Sequence, residues 1–342
     1  MPTKTAIMTR EERIAGFSQL TRDIHDLDTG DKEELFRDVA NNNPWFTAEN
    51  IDQALNGLAY FLTPETLNNW LDNYTLPHEY KKIGIVMAGN IPLVGFHDFL
   101  SVIMAGHMAV IKLSSQDKVL FPVVLEMLLK INPNFGEQIS VVDKLTEIDG
   151  VIATGSDNSS RYFKKYFKNM PNIIRKNRSS VAVLNGNETT EELQLLGDDI
   201  FSYFGLGCRN VAKIFVPEGH DMTGLLDALE GHQEIINHPK YFNNYEYNKA
   251  IYLVNRTQHL DTGYALFTQN KDIVSPLAVI YYEEYKDESE LLSVLELNTD
   301  KIQCIVSNYN IIENRVPIGK SQLPEIDDYA DNVNTMSFLC DI

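Results

Sequence analysis

Cys208 is the residue whose setting points most directly to chemistry. It follows Gly205-Leu206-Gly207, and glycines permit unusual backbone angles and close approach of a substrate. Arg209 comes next, and a neighbouring cation favours the nucleophilic thiolate. A lone cysteine is more often a small buried hydrophobe, so Cys208 alone decides nothing. Cys304, inside Ile302-Gln303-Cys304-Ile305-Val306, and Cys340, in the tail, read as that inert kind. Asn90 ends an apolar run and stands two residues before Pro92. Its amide could donate to an oxygen that gains charge in a transition state, where one such donor is worth on the order of 3 kcal/mol; a turn-forming asparagine is the plainer reading. Lys112 closes Ala109-Val110-Ile111. At the carboxyl end of a strand it would face the crevice where open α/β sheets bind ligands, and a solvated charge is the competing explanation. Thr154-Gly155-Ser156 follows another apolar run. Small residues there bring backbone donors close to a pyrophosphate, although the triplet lacks the GxGxxG pattern and a capped loop would explain it too. The 8 histidines show no HExxH or paired spacing, so no metal site is expected.

Those residues need elements to hold them. Ile83-Gly84-Ile85-Val86-Met87 reads as a buried strand ended by Gly89-Asn90. Pro92 is expected to open a helix that reaches about Met104 and closes at Gly106. Ala109-Val110-Ile111 is the next strand, a helix with Pro122 in its first turn follows, and 139–142 and 151–153 are further strands. Strands alternating with helices predict a mainly parallel sheet with right-handed crossovers. From about Asn185 the pattern resumes, with a helix over 190–204, strands at 212–216, 278–282 and 302–306, and a helix over 288–295. Before Lys82 the chain reads as helical, with starts near Asp31, Thr47 and Thr63. Glu283-Glu284 reads as a charged strand end, and His97 as a packed histidine.

The bulk composition narrows the function classes. The chain has 342 residues, 44% of them hydrophobic, which suffices for two domains with a buried core. A formal net charge of -19 disfavours nucleic-acid backbones and anionic membrane surfaces. The first residues contain no apolar core of signal-peptide length, and no stretch approaches a bilayer span. Three sparse cysteines do not read as a disulfide framework. Together these features lead to the expectation of a cytoplasmic protein.

The order of the weak signals carries a resemblance. Gly84-Ile85-Val86-Met87-Ala88-Gly89-Asn90-Ile91-Pro92-Leu93 resembles the aldehyde-dehydrogenase segment whose Asn helps form the oxyanion hole. Val110-Ile111-Lys112-Leu113-Ser114-Ser115 resembles the motif whose Lys contacts the adenosine ribose, and Ala153-Thr154-Gly155-Ser156 the pyrophosphate loop. Phe204-Gly205-Leu206-Gly207-Cys208, with the strand after it, is similar to the nucleophile motif. Lys271-Asp272-Ile273-Val274-Ser275-Pro276-Leu277 is similar to the Glu-containing segment that holds the nicotinamide ribose. Within the superfamily, the run 87–115, with Gly95-Phe96-His97-Asp98, is very like the LuxC-like acyl-CoA reductases of bacterial luminescence operons.

The resemblance implies an aldehyde-dehydrogenase-like α/β fold: a Rossmann-type parallel-sheet cofactor domain, an α/β catalytic domain, and a reduced oligomerisation element. It implies domains at 1–185 (cofactor-binding, with the helical segment), 186–321 (the cysteine domain) and 322–342 (a tail packing on the cofactor domain or on a partner subunit). It also implies reduction of an acyl-CoA or acyl thioester, with Cys208 and Asn90 catalytic. Lys112, Ser114, Ser115, Thr154, Gly155, Ser156 and Asp272 would bind the cofactor. A neutral Ser115, where NAD-preferring members often carry an acid, leans the expectation to NADPH, with NADH as the alternative. Many members carry a Glu general base on the strand after the pyrophosphate loop; Ile174 or Arg175 stands there, which suits an acyl-enzyme that is reduced and not hydrolysed. Asp272 is shorter than the usual Glu. The projecting hairpin expected before Lys82 shrinks to Asn73-Tyr74-Thr75-Leu76-Pro77-His78. A homo-oligomer and an acyl-transfer partner protein remain open. The rival readings are an aldehyde-oxidising dehydrogenase, an acyl-phosphate reductase, and a non-catalytic member of an acyl-transfer complex.

Overall fold

The computed structural model describes residues 8–342. The helical start is built from side-chain caps. In α1 (Arg10–His25) the Thr9 hydroxyl accepts from Glu12 N–H while the Glu12 carboxylate accepts from Thr9 N–H. Thr47 caps α3 (Ala48–Phe61), and Thr63, followed by Pro64, caps α4 (Pro64–Leu71). Helix α2 (Thr29–Asn42) begins earlier than the expected start near Asp31. Its cap is Asp28, whose carboxylate accepts from Asp31 N–H, so Asp31 already lies inside the first turn. No strand occurs between α4 and Lys82 among the described residues.

The chain divides into two compact units: the described residues up to Lys176 together with Glu325–Ile342, and Asn177–Pro324. The first unit carries five strands: β1 (Lys82–Val86), β2 (Met108–Lys112), β3 (Ile139–Val141), β4 (Gly150–Thr154) and β5 (Asn172–Arg175). Their order is β3-β2-β1-β4-β5 and every pairing is parallel. Helices α5 (Phe96–Met104), α6 (Leu120–Ile131) and α7 (Asp157–Tyr166) connect them. Parallel strands covered by helices must be apolar on both faces, and Ile83, Ile85, Ala109, Ile111, Val151 and Ile152 are all buried. Phe17 of α1 packs its ring on Phe96, Phe99 and Phe135 and so joins the helical start to this core.

The C-terminal segment completes the first unit. His97 meets the Ile326 carbonyl through Nε2 at 2.7 Å, and His107 meets the Leu339 carbonyl likewise at 2.8 Å. Trp70 Nε1 donates to the Tyr329 hydroxyl at 2.7 Å. Arg175 pairs with Asp98 deep in the core and donates to Thr335 Oγ1 at 2.8 Å. The Gly95-Phe96-His97-Asp98 run thus holds the tail in place through two consecutive polar side chains.

The second unit contains β6 (Ser179–Val183), β7 (Val211–Pro217), β8 (Leu260–Asp261), β9 (Leu266–Gln269), β10 (Val279–Tyr285) and β11 (Ile302–Val306). Their order is β11-β6-β7-β10-β9-β8, parallel except for the short β8–β9 pair. Helices α8 (Thr190–Phe201), α9 (Met222–Ala228), α10 (Pro239–Asn255) and α11 (Glu288–Leu297) surround them. The units meet at Lys176/Asn177, ahead of the expected change of domain at 185/186, because β6 is hydrogen-bonded between β7 and β11. No helix among the described residues is long and apolar enough to cross a membrane.

Candidate active site

In the first unit the strand register lines up the candidate loops. Val86 pairs with Lys112 on one side and with Ala153 on the other. The segments beginning at Met87, Leu113 and Gly155 therefore leave one edge of the sheet side by side. The chain crosses to opposite sides of β1 after β1 and after β3, so β1/β4 is the point where the strand order reverses. Ligands of open α/β sheets bind at the carboxyl edge of such a point. Asn90 and the Thr154-Gly155-Ser156 turn flank it, and Lys112 is one strand away.

Local packing explains the shape of this edge. Gly89 lies so close to the next loop that a Cβ there would meet Ser114 Oγ at 2.5 Å. Ser114 Oγ accepts from Gln116 N–H at 3.2 Å, so this expected cofactor ligand also shapes its own turn. Leu93 has a left-handed backbone with φ 56. Its N–H reaches the buried Asp117 carboxylate, whose other oxygen accepts from Phe121 N–H at 3.2 Å at the start of α6. Burial pushes the Asp117 carboxyl up, and these backbone donors pull it back. The helix expected to open at Pro92 instead begins at Phe96, because 91–95 form the turn that meets Asp117. Ser156 caps α7 by accepting from Ser159 N–H at 3.3 Å, and a Cβ on Gly155 would meet Phe163 and Ser159 at 2.9 Å. The turn from β4 into α7 is therefore tight. Lys112, Ser115 and Ser156 are exposed; Asn90, Ser114, Thr154 and Gly155 are half-buried.

In the second unit Cys208 stands between α8 and the amino end of β7, is half-buried, and forms no disulfide. The backbone before it is unusual. Tyr203, Phe204 and Gly205 take positive φ values of 51, 59 and 76 in succession. Non-glycine residues in that region carry strain that surrounding contacts must outweigh. Asn210, only 3% exposed, supplies several. Its Oδ1 accepts from Gly207 N–H at 2.8 Å, and its Nδ2 donates to the Ser202 carbonyl at 2.8 Å and to Asp199 and Ile200 carbonyls at 3.3 Å. Ser180 Oγ donates to the Cys208 carbonyl at 3.1 Å. Asp199, also buried, accepts from the N–H groups of Gly319 and Ser321 at 2.6 and 2.8 Å. Arg209 Nε donates to the Ser321 carbonyl at 2.5 Å, so its guanidinium ties down a neighbouring loop.

Asp272 is exposed in the loop between β9 and β10, its N–H held by Asn270 Oδ1 at 2.9 Å. Beneath that loop lies a pair that the sequence did not announce. Lys213 of β7 is fully buried and bonded to Glu283 of β10. Glu283 is thus the partner of a core lysine and not merely a charged strand end. Burial lowers the Lys213 pKa, while Glu283 and, more weakly, Asp272 raise it. A lysine inside the apolar run Val211-Ala212-Lys213-Ile214-Phe215 was the available signal. For Asn210, the signal was an asparagine three positions after a glycine, a turn-closing spacing. No cluster of His, Cys, Asp and Glu suited to a metal occurs among the described residues.

The candidates therefore fall into two sets. Asn90, Lys112, Ser114, Ser115, Thr154, Gly155 and Ser156 share the carboxyl edge of the first sheet, and Cys208 and Asp272 belong to the second unit. On β5, Ile174 is apolar and Arg175 is committed to Asp98.

Comparison with known proteins gives the wider setting. A family model described as acyl-CoA reductase (LuxC) matches residues 33–276. No curated protein matches the chain. Among solved structures the fold is similar to the aldehyde dehydrogenase KauB from Pseudomonas aeruginosa, at 10% identity and a TM-score of 0.66, covering 88% of this chain and 72% of that one. It is similar to an NAD+ complex of an aldehyde dehydrogenase from Bacillus cereus, at 15% identity and a TM-score of 0.62, covering 89% and 73%. It is also similar to the P. syringae indole-3-acetaldehyde dehydrogenase AldA, solved with NAD+ and IAA, at 10% identity and a TM-score of 0.65, covering 88% and 72%. At these identities the likeness is one of fold.

Proposed function

The chain belongs to the LuxC acyl-CoA reductase family, and on that premise we propose that it reduces an acyl-CoA, or an acyl group held in another thioester, to the aldehyde with NADPH. The observation that carries this reading is the alignment of the loops after β1, β2 and β4 at the strand-order reversal of the first sheet. The residues there suit a dinucleotide. Lys112 is an exposed cation at a strand end, and Gly155 allows α7 to start close against β4. The amino end of α7 favours a phosphate. In this reading Lys112, Ser114, Ser115, Thr154, Gly155 and Ser156 hold the adenosine and pyrophosphate portion, and Asp272 holds the nicotinamide ribose. A neutral, exposed Ser115 leaves room for a 2′-phosphate, which favours NADPH over NADH.

The chemistry assigned to the chain runs through Cys208. Its thiolate attacks the thioester carbonyl and forms the new carbon–sulfur bond. The developing oxyanion is met by the Asn90 amide and the Cys208 N–H. The old carbon–sulfur bond breaks, CoA leaves as the thiol after taking up a proton, and an acyl-enzyme remains. The nicotinamide cofactor, when bound, supplies a hydride. The resulting thiohemiacetal on Cys208 loses its hydroxyl proton and collapses, releasing aldehyde and restoring the thiolate. Arg175 and Ile174 offer no base to activate water, which supports reduction over hydrolysis. In overall balance, one acyl-CoA, one NADPH and one proton give aldehyde, NADP+ and CoA. The test follows the absorbance of the reduced nicotinamide cofactor with acyl-CoAs of increasing chain length. Substrate-dependent oxidation that vanishes in Cys208→Ala is expected. No oxidation with any acyl-CoA, or CoA-independent aldehyde oxidation at a higher rate, would overturn the reading.

A further inference from the structure

We propose that Asn210 is a positioning residue that orients the Cys208 backbone N–H toward the reacting carbonyl oxygen. The inference rests on Cys208 being the nucleophile. It adds the device that sets the direction of the oxyanion donor.

The geometry begins with a tight turn. Asn210 N–H donates to the Gly207 carbonyl at 3.1 Å, so Gly207-Cys208-Arg209-Asn210 closes on itself. The same residue's Oδ1 accepts from Gly207 N–H at 2.8 Å. Both peptide planes that flank Gly207 are therefore held by Asn210, one through its backbone and one through its side chain. The Gly207–Cys208 peptide is planar and, since the described chain has no cis peptide, trans. In a trans peptide the N–H points opposite to the C=O. With the Gly207 carbonyl fixed into the turn, the Cys208 N–H is directed out of it. Ser180 Oγ fixes the Cys208 carbonyl at 3.1 Å on the other side.

The side chain also anchors the turn to a rigid element. Asn210 Nδ2 is shared among the Asp199, Ile200 and Ser202 carbonyls at the end of α8. The last carbonyls of a helix need partners from outside it. Between Ser202 and Gly207 lie the three left-handed residues Tyr203, Phe204 and Gly205. A strained segment clamped at both ends by one buried amide keeps its direction without reorganising during the reaction, which is what an oxyanion donor requires.

The test separates orientation from simple damage. Acyl transfer to Cys208 passes through an oxyanion; alkylation of Cys208 by iodoacetamide does not. CoA release from acyl-CoA is followed in a single turnover without cofactor, beside iodoacetamide alkylation of the same samples. Asn210→Ala keeps the backbone bond to the Gly207 carbonyl but loses the side-chain bonds that anchor the turn; acyl transfer is expected to fall by at least about tenfold, up to the roughly 100-fold of one lost oxyanion donor, while alkylation stays within about twofold of wild type. A parallel fall of both rates, or no fall in either, overturns the proposal. Should the alanine variant fail to fold, Asn210→Asp carries the same comparison: it keeps an acceptor for Gly207 N–H but cannot donate to the α8 carbonyls. Cys208→Ala serves as the control. If it still releases CoA at the wild-type rate, the nucleophile reading fails. If it is inactive while Asn210→Ala is unimpaired, only the role of Asn210 falls.

Discussion

The candidate residues of the first sheet and Cys208 of the second stand at opposite ends of their strands. In the first unit Asn90, Lys112 and Thr154-Gly155-Ser156 all end or follow strands, so strand register alone brings them to one edge. In the second unit Cys208 precedes β7, and its turn is held by two side chains that bond to backbone, Asn210 and Ser180, while Asp199 holds the neighbouring 319–321 loop. The contrast is one of mechanism. An edge that binds a cofactor can be made of exposed backbone at strand and helix ends, where the fold itself supplies the donors. A nucleophile, the role proposed for Cys208, needs one atom aimed, and a buried amide and a buried hydroxyl bond to the backbone of its turn. The polar core pairs follow the same division. Asp98–Arg175 joins a helix, a strand and the tail of the first unit, whereas Lys213–Glu283 links two neighbouring strands under the Asp272 loop.

The sharpest way to break this comparison is to remove the aimed atom. Cys208→Ala should lower acyl-CoA reduction by on the order of 10^4-fold or more, as loss of a nucleophile does in other enzymes. Its thermal midpoint should stay near wild type, because the contacts that hold the turn come from Asn210 and Ser180. A large loss of stability would mean that the thiol holds the turn and is not merely held by it. Asp98→Asn should act the other way round. Leaving Arg175 without its partner costs about 3–5 kcal/mol, by analogy with other buried pairs, read as a lower urea midpoint, while the alkylation rate of Cys208 in the folded fraction is unchanged.

A smaller effect tests the binding edge itself. Ser115→Glu places a charge beside the exposed Lys112 strand end, where like charges repel a 2′-phosphate. The ratio of kcat/KM for NADPH to that for NADH should fall by about tenfold or more; an unchanged ratio would remove Ser115 from the cofactor site. The smallest effect concerns the tail. Burial lowers the pKa of both His97 and His107 below the ordinary histidine value, while their bonds to Ile326 and Leu339 carbonyls oppose the shift. The unfolded chain then binds more protons as pH falls through about 6.5, so stability is fully present above that value and declines below it. Urea midpoints should drop between pH 8 and pH 5.5, and His97→Gln should flatten the slope. A flat wild-type profile would contradict the assigned shifts.

Much of the first unit was legible because its signals are local. Apolar runs at 83–87, 109–111 and 151–153 are strands, and Thr47 and Thr63 cap the helices they precede. The helix start misplaced at Pro92 depended on Asp117, a residue of a different loop. The second unit was harder to read for the same reason. Strand β6, at 179–183, is short, and its place between β7 and β11 is set by pairing with distant chain. Glu283 looked ordinary because its partner, Lys213, lies 70 positions away, and Asn210 because its bonds to Gly207 and Ser202 form only once the left-handed turn after α8 has folded. Cys208, Asn90 and Lys112 stood out through their order along the chain. The residues that hold them stood out only once the chain was folded.

The proposed reaction passes through a covalent bond between substrate and one sulfur. Intact-mass spectrometry after mixing the protein with an acyl-CoA, without cofactor, tests that bond most directly. The expected result is a mass gain of one acyl group, mapped to the peptide containing Cys208, lost on adding NADPH, and absent in Cys208→Ala. An adduct of equal yield in Cys208→Ala, or none in the wild type while NADPH is still consumed, would contradict it.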